Sequence, residues 1–110
     1  MIKNIQTEEC VAKGYILAMV AVSDPDAYRA SGYMAMAEQS VAAFGGRFMV
    51  RGGEPAVLEG EPLGERIVIL EFPSREQAAA FHASEMYAPA VALRQSLAAS
   101  QLVLLSEYEP

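Results

Sequence analysis

The chain has no tryptophan, one cysteine, one histidine and only eight basic residues against fourteen acidic ones in 110 positions. A lone cysteine excludes a disulfide within the chain. Together with a lone histidine it also removes the usual nitrogen and sulfur donors for a metal, so neither a metal nor a cofactor is expected. Cys10 itself lies in the first, irregular segment and reads as a bystander thiol, since nothing around it in sequence lowers its pKa. The shortage of basic residues leaves a formal charge of -6, which argues against nucleic acid or an anionic membrane as partner, because both draw affinity from basic patches. No apolar run approaches the roughly 18 residues that cross a bilayer, and the N-terminus lacks the apolar middle of a signal peptide. A cytoplasmic location is therefore expected. Phosphate-binding loops are missing too: Gly45 to Gly53 (GGRFMVRGG) is rich in glycine but follows a helix and contains a strand, the wrong context for cradling phosphate.

What is present is apolar material, 53% of the positions. The length supports one domain in which roughly two thirds of the extended chain's surface can be buried. Residues Met1 to Ala12 show no clean period and read as an appended segment, leaving 13–110 as the single domain. Gly14 to Val22 (GYILAMVAV) is a continuous run of strand formers. Asp24-Pro25 opens a helix through Phe44, with Ala27, Met34, Ala37, Val41 and Phe44 on one stripe. Ser31-Gly32 interrupts it, so a kink or short break is expected there. Gly45-Gly46 ends the helix, and Arg47 to Arg51 alternates as a second strand; Ala56 to Leu58 either continues it or makes a small excursion. Gly60 to Glu65 is a turn, and Arg66 to Phe72 (RIVILEF) a third strand with Ile67, Ile69 and Glu71 on one face. Ser74 and Gln77 match a capping box for a second helix through Ala83, Pro89 opens a further helical stretch through Ala99, and Gln101 to Tyr108 supplies the last strand.

The order of elements is that of an α+β, ferredoxin-like βαββαβ sheet with helices on one face. The first and last strands are apolar on both faces, and leaving one of them in water forfeits about 25 cal/mol per Å². The simplest cover is a second copy of the chain, sheet against sheet about a two-fold axis, so a homodimer is expected.

Several polar residues qualify as site candidates. Arg47 and Arg51 each lie two residues from Met49 on one strand and are expected on the same face as it, where two guanidinium groups can clamp an anion; the alternative is pairing with Glu54, Glu59 or Glu71. Glu71, amid apolar neighbours, is either a base or the partner of an arginine, and the second reading is preferred. His82 can act as a general base, but at a helix end, with no second histidine and no serine or cysteine partner, the capping or surface role is the preferred reading. Tyr15, Tyr28 and Tyr87 can reach a cavity between sheet and helices, or simply fill space and donate one hydrogen bond each.

Asp24-Pro25-Asp26-Ala27-Tyr28, the run Gly45 to Gly53, Leu58-Glu59-Gly60, Leu70 to Ser74 (LEFPS), and Ser84, Tyr87 and Leu93-Arg94 together resemble domain of unknown function family 1330, from about Ala12 to Tyr108. The resemblance implies the dimeric α/β-barrel superfamily, whose members include cofactor-free monooxygenases, isomerases, haem-active enzymes and small-molecule regulators. It also adds Tyr28 and Arg94 as positions that match the family and can line its cavity, with core packing and an interface salt bridge as equal alternatives. The chain departs from the family pattern in a first helix about two residues longer near Ser31-Gly32. His82 replaces an aromatic residue, and Glu85 stands where the family has proline. The expected activity is binding of a small anionic or oxygen-bearing organic molecule between sheet and helices, with cofactor-free oxygenation or isomerisation as the natural chemistry; the alternative is a non-catalytic homodimeric module.

Overall fold

The computed structural model describes residues 11–61 and 66–110. Most of the N-terminal segment, Cys10 and most of the turn before the third strand lie outside the described residues. Four strands, β1 (Gly14–Val22), β2 (Arg47–Gly52), β3 (Arg66–Phe72) and β4 (Ala98–Ser106), form one antiparallel sheet in the order β2-β3-β1-β4. Helices α1 (Pro25–Ala30), α2 (Tyr33–Ala43), α3 (Arg75–Ala83) and α4 (Ala88–Leu97) complete the α+β, ferredoxin-like arrangement. No helix among the described residues is long and apolar enough to cross a membrane.

The long first helix expected from the sequence is two helices. Asp24 caps α1, its Oδ1 accepting from the Ala27 amide at 3.2 Å. Gly32 then takes φ +87°, a left-handed conformation that a continuous helix cannot hold and that glycine adopts without a Cβ penalty. Ser31 Oγ accepts from the Tyr33 amide at 3.1 Å and so starts α2 with its first residue fixed. At the other end of the chain, α4 stops at Leu97 and β4 begins at once at Ala98, three residues earlier than the apolar pattern indicates. The cause is the neighbouring strand: β1 is nine residues long, and its last residue, Val22, pairs with Ala98. Backbone pairing therefore overrides the helical bias of Ala98 and Ala99. Residues 53–61 form no regular element, so Ala56 to Leu58 is the excursion rather than more strand, with Leu58 almost wholly exposed.

The core lies on one face of the sheet. Ile16, Leu70 and Phe72 meet Tyr28, Tyr33, Ala37, Val41, Ala78, Phe81, Tyr87 and Ala90 from the helices. Along β1, Ile16, Ala18 and Val20 are buried while Tyr15, Leu17 and Met19 between them are half-buried. The register places Leu17 between Ile69 and Val103, and Tyr15 between Glu71 and Leu105, which makes the second face an apolar surface without helices.

Candidate functional site

Between the sheet and helices α3 and α4 lies a cavity of about 460 Å³, within the size range of small-molecule sites. Its wall is apolar at Ile16, Ala79 and Leu102 and polar at His82, Arg94 and Ser100. Arg94 is 3% exposed. Its Nε donates to Ser100 Oγ at 3.0 Å, and its Nη1 donates to the hydroxyl oxygens of Tyr87 at 2.8 Å and Tyr33 at 3.3 Å. Those two hydroxyls are 2.6 Å apart. No carboxylate pairs with Arg94 among the described residues; the ion pairs there are Arg29–Asp26, Arg47–Glu71 and Arg51–Glu38.

Local structure aims each member of this cluster. Ser84 Oγ accepts from the Tyr87 amide at 3.1 Å and donates to the Phe81 carbonyl at 2.8 Å, so the corner between α3 and α4 is held and Tyr87 points inward against Phe81, ring centroids 4.3 Å apart. The break at Gly32 delivers Tyr33 to the same spot. Arg94 sits in the last turn of α4, where a cation also suits the helix dipole. Burial works against its charge, but the hydrogen bond to Tyr33 and the surrounding phenol oxygens outweigh that and hold its pKa above the ordinary value. Burial first, then the neighbouring Tyr33, pushes the Tyr87 hydroxyl well above the usual phenol range, and burial likewise raises Tyr28. The Tyr28 and Tyr87 phenols are therefore protonated at neutral pH.

The candidates divide between the two faces of the sheet. Tyr28, Tyr87 and Arg94 lie inside, and His82 is exposed on the last turn of α3, where it lines the cavity with its ring centroid 6.2 Å from that of Tyr87. Arg47 and Glu71 lie on the other face. Arg47 Nε donates to Glu71 Oε1 at 3.0 Å and Tyr15 donates to Glu71 Oε2 at 3.0 Å, so Tyr15 does not reach the cavity. The Arg47 hydrogen bond lowers the Glu71 pKa, partly opposed by burial and helped by Tyr15, while the same carboxylate raises the Tyr15 pKa. Arg47 and Arg51 do not share a face, contrary to the alternation expected. A β-bulge at Met49 inserts one residue between Phe48, opposite Leu70, and Val50, opposite Ile69. One extra residue inverts everything after it, so Arg51 turns to the helix side. There it donates to Glu38 at 2.7 Å and to the Met34 carbonyl at 3.2 Å, stacked 4.1 Å over the Phe48 ring. The double clamp on one strand does not exist.

Tyr33 and Ser100 escape a reading of the sequence. Tyr33 lies off the apolar stripe read for the helix between Asp24-Pro25 and Phe44, and Ser100 falls in a stretch that the apolar pattern assigns to no strand. The only available signal for Tyr33 is the Ser31-Gly32 pair itself.

Among curated proteins none matches the chain. In solved structures it is similar to a protein of unknown function from Rhodopseudomonas palustris (20% identity, TM-score 0.65, covering 100% of this chain and 95% of that one). It is also similar to SnoaB, a cofactor-independent oxygenase from Streptomyces nogalater (13% identity, TM-score 0.64, covering 91% and 97%). A third likeness is a conserved protein of unknown function from Bacteroides thetaiotaomicron, described as a possible oxidoreductase (14% identity, TM-score 0.54, covering 86% and 97%). At these identities the likeness shows the fold. The model of the domain of unknown function DUF1330 matches residues 13–108. With almost the whole described domain inside that match, the chain belongs to the DUF1330 family.

Proposed function

We propose that the protein binds a small anionic or oxygen-bearing organic molecule in the cavity between α3, α4 and the sheet, as a cytoplasmic homodimer closed through the open sheet face. The observation that carries this is Arg94, a guanidinium 3% exposed on the wall of a 460 Å³ space and partnered by neutral hydroxyls alone among the described residues. Burying such a charge without an anion is unfavourable unless the site is used with one. A non-catalytic module calls for a filled interior, and the cavity counts against it. Cofactor-free oxygenation or isomerisation is the chemistry in keeping with an arginine and a histidine on the wall and phenols hydrogen-bonded behind the arginine, and the fold likeness to SnoaB supports the same class. A lone cysteine accords with a reducing compartment, and the apolar surface of Leu17, Ile69 and Val103 supports the pairing.

A thermal-shift screen of small organic acids, enols and neutral oxygen compounds tests the binding. A true ligand at 100 times its Kd adds about 2.7 kcal/mol to stability. Ala79→Phe, at an exposed helix position on the cavity wall, is expected to keep the fold and abolish the shift. A screen without hits, or hits that survive the filled cavity, would remove this function.

A further inference from the structure

The wall around Arg94 carries more donor hydrogens than acceptors. A guanidinium has five N–H hydrogens and accepts nothing, and each phenol adds one O–H. Nε is satisfied by Ser100, and Nη1 is shared between Tyr33 and Tyr87. With the two hydroxyl oxygens 2.6 Å apart, one phenol gives its hydrogen to the other. The receiving phenol already accepts from its partner and from Arg94, and its own O–H finds no acceptor among the described residues. Neither do the two hydrogens on Nη2. No buried side-chain nitrogen or oxygen lacks a partner among the described residues, so Nη2 does not end in sealed interior but in open space.

Arg94 and Leu102 line both the larger cavity and a void of about 40 Å³ that Tyr28, Tyr33 and Tyr87 also line, so Arg94 stands between the two. The void is large enough for a water or for the head atoms of a ligand. The surplus is of one kind. An alcohol brings a donor hydrogen of its own, an amide brings two, and an ammonium adds a second positive charge. A carboxylate brings lone pairs and no hydrogen, and its two oxygens can accept from Nη2 and from a neighbouring phenol together.

We infer that the cavity is selective for a carboxylate, an acceptor-only oxygen anion, received by Nη2 of Arg94 and by the spare phenol hydrogen of the Tyr33–Tyr87 pair, with the apolar body of the molecule lying along Ile16, Ala79 and Leu102. The inference rests on the reading that the cavity binds oxygen-bearing molecules, and it narrows the class.

The test compares hexanoate, hexanamide and hexanol, which share a chain and differ in the head group, by calorimetry at pH 7.5. Hexanoate is expected to bind at least tenfold more tightly than either neutral probe. Arg94→Gln is expected to remove that preference, bringing the three affinities together. Where this variant does not fold, the wild-type protein supplies the second readout: the Arg94 side-chain N–H resonance shifts with hexanoate and stays in place with hexanol. Equal affinities in the wild type, or a hexanoate preference retained in Arg94→Gln, overturn the carboxylate assignment while leaving the cavity a binding site. If none of the probes and nothing in the wider screen binds, the binding reading fails and takes this inference with it.

Discussion

At Glu71 a carboxylate on the open sheet face accepts from Arg47 and Tyr15 together. The Arg47 hydrogen bond is the main reason its pKa lies below the ordinary 4.5. A carboxylate whose folded pKa is depressed contributes stability that is full above its unfolded pKa and is lost as pH falls through the folded one. Glu71→Gln should therefore converge on the wild type as the pH falls through and below the ordinary carboxylate range, and fall behind it by less than about 1 kcal/mol at neutral pH, since Arg47 is exposed and water screens the pair. Chemical denaturation at a series of pH values measures this, and a gap that stays the same from pH 3 to 7 would show that the pair does not titrate as described. The pairing of Glu71 with an arginine was legible in the sequence, because a carboxylate in an apolar strand needs a partner. The hydroxyl partners of Arg94 were not, since hydroxyls far apart in sequence are brought together by the fold alone.

Two single-residue irregularities in the elements decide what faces the cavity. The bulge at Met49 sends Arg51 inward and leaves Arg47 outward, and the left-handed Gly32 separates α1 from α2 and places Tyr33 beside Tyr87. A Cβ added at Gly32 meets nothing within 4 Å, so the cost of Gly32→Ala is purely conformational, about 1–2 kcal/mol. That corresponds to a fall in Tm of roughly 4–8 °C for each kcal/mol in a domain of this size. Gly32→Asn should lose less, because asparagine tolerates the left-handed region better. Calorimetric melting of the two variants measures the difference, and equal, negligible losses would mean the chain passes the break in another conformation. The break is legible in Ser31-Gly32, whereas Gly52-Gly53 points to a bulge or sharp bend three residues after the one at Met49, because period-two alternation carries no mark of which residue is inserted.

For the whole molecule the decisive feature is the uncovered sheet face, with Leu17 at its centre between Ile69 and Val103. A stable pairing buries about 800 Å² on each partner, and a charge at the centre of such a surface is far more costly than at its rim. Leu17 is half-buried within one chain, so Leu17→Lys should leave the subunit folded. Sedimentation at micromolar concentration should find the wild type as a pair of 11.8 kDa chains and this variant as a single one, with unchanged circular dichroism. A folded wild-type monomer would refute the proposed assembly. The sequence by itself determined the order of strands and helices, the caps at Asp24 and Ser74, and the surplus of apolar strand surface, because these follow from interactions between residues close in the chain. Only the tertiary structure decided that Arg47 and Arg51 part company, that β4 starts at Ala98, and that Tyr33, Tyr87, Arg94 and Ser100 converge. Those outcomes depend on strand register and on contacts across many residues, where a shift of one position changes the face a side chain meets.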